Sequence, residues 1–241
     1  MNTNEVMTRL ESLGTAQTRK TYGRHGIIGP MYGVKYGDLY KLVKEVKGDH
    51  DLGLDLWQTG NMDARVLATL IVDPSRMTMK TLSTWLKDVD HHGLSSILSN
   101  VAQRSPKADK LMHKWMASRK ELVATTGWLM LCGIARENSG LLTDVEYAEF
   151  LTTIEKDIHQ AQNRVKHAMN LALISVGAYI DEKGAVTIAK RIGPVDVDHG
   201  DTSCKTQLAA PYIQKAAAHH RAKLAKKAAK RTTKKRSSKK G

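Results

Sequence analysis

Cysteine, proline and long apolar runs are all scarce in this sequence. Its 241 residues include two cysteines and five prolines. Cys132 and Cys204 lie far apart and form no Cys-x-x-Cys pair, which argues against a disulfide framework and indicates a reducing compartment, the cytoplasm. The longest strongly apolar run, residues 127–135, is too short to cross a bilayer, and the N-terminus lacks the apolar core of a signal peptide. We therefore expect a soluble intracellular protein.

Acidic residues are absent from the C-terminal end of the chain. From Ala216 onward there are 11 Lys and Arg and no Asp or Glu, whereas residues 1–215 hold 27 basic and 24 acidic residues. We therefore divide the chain into a domain of residues 1–215 and a basic tail of residues 216–241. Like-charge repulsion and the lack of an apolar stripe predict that the tail is disordered in isolation. Such a tail can condense on a polyanion, although a solubilising role is the alternative.

Alternating strand patterns are also lacking, and helical periodicity dominates. About ten amphipathic segments are predicted to be helices, among them residues 163–179 and 182–192. They indicate an all-α architecture, a HEAT-like α-α superhelix (solenoid) of stacked antiparallel helix pairs; a compact irregular bundle is the alternative. The glycine-rich residues 23–34 are predicted to form an ordered loop before a helix capped by Asp38. Gly93 is predicted to separate two further helices.

The densest set of chemically useful side chains lies in residues 84–93, which we call the Trp-His segment. Trp85 falls on an apolar stripe, so it is either a core anchor or an aromatic wall for a ligand. Asp90 is either a helix N-cap or a carboxylate that faces a ligand. Asp88 lies off the apolar stripe, which favours a solvated charge, and it is the second choice after Asp90 for a carboxylate that faces a ligand.

Metal binding is not expected. His91 and His92 are candidates for contact with phosphate or a base, but adjacent histidines point in different directions from a helix and form no two-histidine metal site. Residues 196–201 resemble the opening of a calcium loop, yet Gln207 stands where a bidentate glutamate belongs. We expect no metal and no cofactor.

Several basic residues are candidates for phosphate contact because they lie in loops, at helix starts or in the tail. Arg65 is one of them, although a structural ion pair within its own repeat explains it more simply. The others are Arg24, Lys35, Arg164, Lys166 and Lys205 in the domain, and Lys226, Lys227, Lys230 and Arg231 in the tail. Alignment of such cations along one surface would bind a nucleic-acid backbone.

An ordered set of passages resembles the DNA alkylation repair family, the AlkD-like proteins built of HEAT-like helical repeats. The set covers about residues 1–215 and excludes the tail. Its members are Tyr32-Gly33-Val34-Lys35-Tyr36-Gly37-Asp38-Leu39, Leu56-Trp57-Gln58-Thr59-Gly60-Asn61, residues 63–68, the Trp and Asp of residues 85–90, Arg164-Val165-Lys166-His167-Ala168-Met169-Asn170, and residues 197–206.

The resemblance implies a curved repeat that grips double-stranded DNA, including alkylated DNA, through its backbone. Active members of the family hydrolyse the N-glycosidic bond of N3- or N7-alkylated purines. A carboxylate near the sugar stabilises the developing oxocarbenium ion and positions water. By resemblance, Asp90 is the first choice for this carboxylate, Trp85 for the aromatic wall and Asp88 for the reserve. A monomer associated with the nucleoid is expected.

The sequence departs from the active members' pattern in three places. Their Trp-x-x-x-Asp spacing is one residue longer here, from Trp85 to Asp90. The arginine expected near Thr125 is missing, and Leu171 stands where a second tryptophan is expected. Two functions therefore remain open: a DNA glycosylase of alkylation repair, and a non-catalytic binder of branched or damaged DNA or of a protein partner on the same fold.

Overall fold

A computed structural model describes the backbone of residues 1–237 and the side chains of residues 1–229. Within that range there are thirteen α-helices, one 3-10 turn (Pro74–Arg76) and no β-strand. The helices are α1 (Thr3–Leu13), α2 (Ala16–Arg24), α3 (Tyr36–Val46), α4 (His50–Gln58), α5 (Met62–Ile71), α6 (Met79–Lys87), α7 (His92–Ala102), α8 (Ala108–Met116), α9 (Glu121–Glu137), α10 (Asp144–Asp157), α11 (Asn163–Tyr179), α12 (Glu182–Ile192) and α13 (Ala209–Ser237). The predicted all-α class is confirmed.

The described part of the basic tail differs from the predicted disorder, because residues 216–237 continue α13. Alanine and lysine are among the strongest helix formers, and this preference outweighs the missing apolar stripe. Pro211 lies in the first turn of the helix, where a missing N–H group costs little. Residues 238–241 and the side chains of Lys230 and Arg231 lie outside the described residues.

Two predicted helix boundaries are corrected. Helix α3 begins after Lys35, so Asp38 lies in the first turn and its carboxylate accepts a 2.7 Å hydrogen bond from Lys41 Nζ instead of capping the helix. Helix α7 begins at His92, so Gly93 lies inside its first turn and not between two helices. In both cases the helix begins before the residue that the sequence pattern predicted to lie outside it.

The helices divide between two compact units. Unit 1 contains residues 1–130, 163–165 and 197–205, and unit 2 contains residues 131–162, 166–196 and those from Thr206 onward. In unit 1, α4 and α5 form a hairpin, and α5 also packs against α3 and α7 through an almost wholly buried sequence. In unit 2, α12 packs against α10 and α13. Among the described residues, no helix has the length and apolar character that a membrane span needs.

A buried carboxylate fixes the loop of residues 25–34, which we call the glycine loop; the predicted loop of residues 23–34 began two residues too early, because Gly23 and Arg24 belong to α2. Asp63 has no exposed surface, and its two oxygens accept hydrogen bonds from the N–H groups of Tyr32 (2.7 Å), Gly33 (2.9 Å) and Val34 (2.9 Å). The cap of α5 is Asn61, whose side chain accepts from the Asp63 and Ala64 N–H groups. Asn61, and not Asp63, therefore caps α5, and the glycine loop is ordered as predicted.

Asp63→Asn is expected to lower the free energy of unfolding by about 2–4 kcal/mol. The amide keeps one acceptor oxygen but turns an NH2 group toward buried N–H donors, which lose their partner. Urea unfolding followed by circular dichroism measures the change. Asp55→Asn, at an exposed position on α4, is the matched control and should change stability by less than about 0.5 kcal/mol. Equal stability of the two variants would show that the carboxylate does not hold the loop.

Candidate nucleic-acid interface

The Trp-His segment contains the end of α6, a short connection and the start of α7. Helix α6 ends at Lys87 with Asp88 as its C-cap residue, and α7 begins after His91. Its side chains alternate between the core of unit 1 and solvent over a few residues. Each group therefore has to be placed individually.

Trp85 is a core anchor. Its side chain is 1% exposed and stacks face to face on Trp57, with the ring centroids 4.1 Å apart and the planes 1° from parallel. Trp57 is also fully buried, and its indole N–H donates a 2.8 Å hydrogen bond to Asp88 Oδ2. The alternative, that Trp85 forms an aromatic wall for a ligand, is wrong, because Trp57 covers the face of its ring.

Arg65 completes this cluster from α5. Its guanidinium lies 5.3 Å from the centroid of the Trp57 ring, and its Nη1 donates to the backbone carbonyl of Asp88 at 3.1 Å. Its Nη2 lies 3.7 Å from Asp88 Oδ2, and its side chain is 17% exposed. Arg65 therefore has a structural role, as predicted, although its acidic partner lies at the end of α6 and not within the α4–α5 hairpin. Asp88 in turn accepts from the Trp57 indole and lies beside the Arg65 guanidinium. Arg65 is therefore not free to contact DNA, and Asp88 is not free to act as a catalytic carboxylate.

Asp90 presents its carboxylate to solvent. Its side chain is 55% exposed, and its Oδ1 lies 3.7 Å from His91 Nε2. The glycine loop lies against it, because a Cβ added to Gly29 would be 3.4 Å from Asp90 Oδ2. The helix-cap alternative for Asp90 is wrong, since His91 is the N-cap of α7. Of the three candidate catalytic residues, Asp90 has the most accessible functional group.

His91 is buried and structural, which corrects its candidacy for DNA contact. It is 5% exposed, and its Nδ1 accepts a 3.2 Å hydrogen bond from the Leu94 N–H group. Burial, with a smaller contribution from Arg65, lowers the pKa of His91, and the Asp90 carboxylate only partly opposes this shift. The neutral ring that accepts at Nδ1 carries its proton on Nε2. His92, next to it, is half-buried.

The Trp-His segment borders three cavities of unit 1. One, of about 410 Å³, includes Thr84 and Trp85 in its lining. Another, of about 610 Å³, has an apolar floor that includes Leu86, Val89 and Trp115. Three exposed lysines, Lys87, Lys114 and Lys120, also line it. We call this cavity the lysine cleft; its remaining lining residues are Ser83, Ser118, Glu121, Leu122 and Val123.

The third cavity, of about 260 Å³, is the histidine cavity. It joins the start of α7 to α2 and the glycine loop through His25, His91 and His92. Its other lining residues are Thr21, Tyr22, Ile27, Tyr36 and Gly93. Burial raises the pKa of Tyr22 to about 12, so the phenol stays protonated and donates to the Val34 carbonyl at 2.8 Å.

The remaining predicted phosphate contacts are distributed over both units. In unit 1, Arg24, Lys35 and Lys205 are exposed, whereas Arg164 is half-buried at the start of α11, where its N–H group donates to Glu121 Oε1 at 2.7 Å. Unit 2 contains the half-buried Lys166 and the exposed Lys226 and Lys227.

Sequence reasoning missed the three lysines of the cleft. Lys87 lies inside the Trp-His segment, but Lys114 and Lys120 are some thirty residues away in sequence. The available signal was the cluster of basic residues around the turn between α8 and α9.

The chain resembles known proteins along most of its length. A family model described as DNA alkylation repair enzyme matches residues 6–188. The uncharacterized protein Lin0241 of Listeria innocua is 29% identical over 222 residues, which are 88% of this chain and 96% of the relative. The uncharacterized protein Lmo0209 of Listeria monocytogenes is 28% identical over 223 residues, with the same two coverages.

A solved structure shares the fold with a TM-score of 0.84 and 29% identity, covering 92% of this chain and 96% of the other. It is described as one of "a new family of proteins related to the HEAT-like repeat DNA glycosylases with affinity for branched DNA structures". This likeness confirms the HEAT-like repeat fold predicted from the sequence.

The buried His91 predicts a stability that decreases as pH falls. Its pKa is lowered in the folded protein, so below about pH 6.5 the unfolded chain binds a proton that the folded chain resists. His91→Asn keeps an acceptor for the Leu94 N–H group and removes this titration. Between about pH 7.5 and about pH 5, urea unfolding should show a larger loss of stability for the wild type than for His91→Asn. An equal loss in both proteins would contradict the neutral, buried state of His91.

Proposed function

The chain belongs to the DNA alkylation repair enzyme family and has a HEAT-like repeat fold, and from this premise we propose that it binds branched double-stranded DNA through the lysine cleft. The binding does not depend on base excision. The observation that carries this proposal is the combination of three exposed lysines with an apolar floor in one cleft of unit 1. We further propose that the protein acts as a monomer on chromosomal DNA in the cytoplasm.

The chemistry of the cleft fits a nucleic acid better than a small apolar ligand. Exposed lysines bind phosphates by releasing condensed counterions, and they do so without sequence preference. The apolar floor of Leu86, Val89 and Trp115 offers a surface for a sugar or a base edge between the phosphates. Glu121, an acid of the lining, is engaged by the Arg164 N–H group. The cleft therefore favours a polyanion that also exposes apolar surface.

A preference for branched DNA is supported by the solved relative, whose description states an affinity for such structures. A branch point exposes unpaired or weakly stacked bases beside converging phosphates. The apolar floor of the lysine cleft suits the bases, and its three lysines suit the phosphates. Helix α13 supplies a second, less selective contribution. Its exposed Lys226 and Lys227 lie in a helical segment with no acidic residue, which adds affinity for any DNA backbone.

Hydrolysis of alkylated purine nucleotides is a second candidate function, favoured by one observation. Asp90 is an exposed carboxylate with no guanidinium partner in the described residues. Its negative charge is therefore available to stabilise an oxocarbenium ion. The surrounding groups argue against it. Trp85 is covered by Trp57, and the buried Thr125 stands where the active members' arginine is expected. Binding without excision is therefore the leading proposal.

Replacing the lysines of the cleft tests the binding surface. In the variant Lys87→Gln, Lys114→Gln, Lys120→Gln, the slope of log affinity against log salt for a four-way DNA junction should become shallower by roughly 0.9 for each lysine that contacts a phosphate. Fluorescence anisotropy at several salt concentrations measures the slope.

The matched control is Lys156→Gln, Lys183→Gln, Lys190→Gln, which removes the same charge from exposed positions of α10 and α12 in unit 2. It should retain most of the wild-type slope. Equal losses in the two triple variants would show that net charge, and not the lysine cleft, determines the affinity.

Incubation with methylated duplex DNA tests the second candidate. We expect the wild type to bind this DNA and to release neither N3-methyladenine nor N7-methylguanine above background, because Trp85 is covered by Trp57 and the buried Thr125 stands where the active members' arginine is expected. Chromatography of the released bases is the measurement. Release that Asp90→Asn abolishes and the exposed-site control Asp55→Asn retains would contradict the leading proposal and establish Asp90 as the catalytic carboxylate.

A further inference from the structure

One apolar side chain of the glycine loop is almost completely exposed. Ile28 is 95% exposed, whereas the other exposed large apolar residues among those described range from 38% to 67%. A single apolar residue on a surface needs no explanation by itself. The surroundings of Ile28 are what distinguish it.

The backbone on both sides of Ile28 is anchored. Ile27 is buried, and the carbonyl of Pro30 accepts a 2.8 Å hydrogen bond from the Met62 N–H group at the start of α5. Two residues further on, the N–H groups of residues 32–34 bind the Asp63 carboxylate. Ile28 is therefore held out from a constrained loop, and its side chain contributes almost no burial to folding.

The chain around Ile28 is basic. Residues 12–37 contain Arg19, Lys20, Arg24 and Lys35 and no acidic residue. All four side chains are exposed, and the Arg19 guanidinium also donates to the Tyr32 carbonyl. An apolar tip flanked by cations suits a nucleic acid, because phosphates bind the cations while the tip meets the bases.

Asp90 defines which part of the nucleic acid can approach the loop. Its carboxylate lies against Gly29, directly after Ile28. A phosphate at this point would be repelled, whereas a base edge or a sugar would not. The cations therefore select the flanking backbone, and the pair of Ile28 and Asp90 favours bases at the tip.

We propose that Ile28 is an apolar wedge that inserts beside an unpaired or weakly stacked base at a DNA branch point and so determines the preference for branched over linear DNA. Insertion into a regular duplex costs the stacking energy of one base step. At a branch point that stacking is already partly lost, so the same insertion is more favourable. This inference rests on the proposed DNA binding and adds the residue that recognises the branch.

The test compares affinities for a four-way junction and for a linear duplex of the same arm sequence. Ile28→Gln removes the apolar tip, Ile28→Leu keeps it, and Val145→Gln replaces another exposed β-branched residue on α10. Because Ile28 has almost no buried surface, none of its variants should unfold the protein. 2-Aminopurine placed at the branch point reports unstacking by an increase in fluorescence.

We expect Ile28→Gln to lower the ratio of junction to duplex affinity on the order of tenfold, the effect of losing one buried aliphatic side chain. It should also abolish the 2-aminopurine increase and leave duplex affinity unchanged. Ile28→Leu and Val145→Gln should behave as the wild type does. An unchanged ratio and signal in Ile28→Gln would overturn the wedge and leave the proposed DNA binding intact. A wild type that binds neither DNA would overturn both.

Discussion

The buried carboxylate of Asp63 is the interaction on which the candidate DNA surface depends. It binds three successive backbone N–H groups of the glycine loop from the first turn of α5. The acceptor is charged and fully buried, so each bond is stronger than one between neutral groups. Gly33 fits this arrangement because its φ of +80° and its approach to Arg19 leave no room for a side chain. Together with the buried Ile27 and the hydrogen bond from the Met62 N–H group to the Pro30 carbonyl, this clamp gives Ile28 and the contact of Gly29 with Asp90 a fixed place.

A second cluster accounts for the polar groups of the Trp-His segment. Trp57 and Trp85 stack in the core. Beside that stack, Asp88 accepts a hydrogen bond from the Trp57 indole and pairs with the Arg65 guanidinium. These contacts hold the end of α6 and thereby the short connection that carries Asp90. The residues that first suggest chemistry are thus mostly used for structure. What they leave accessible is one carboxylate, beside a cleft lined with lysines and a loop with an exposed isoleucine.

Local patterns in the sequence predicted the helices well and the site only in part. The bounds of α11 and α12 follow from apolar periodicity to the residue. The N-cap of α7 is His91, an uncommon cap, so the pattern favoured Asp90. The pairs Trp57 with Trp85 and Asp63 with the glycine loop join residues about thirty positions apart, and no local pattern specifies such contacts. The helical tail shows the reverse case, in which residue propensity outweighed an expectation based on charge.

The central claim is that the surface beside the Trp-His segment contacts branched DNA. Hydrogen–deuterium exchange of the protein with and without a four-way junction tests it most directly. We predict slower exchange on binding in peptides that cover residues 24–31, 87–93 and 114–123, and unchanged exchange in α10. Protection confined to other helices, with these three regions unaffected at saturating DNA, would contradict the account.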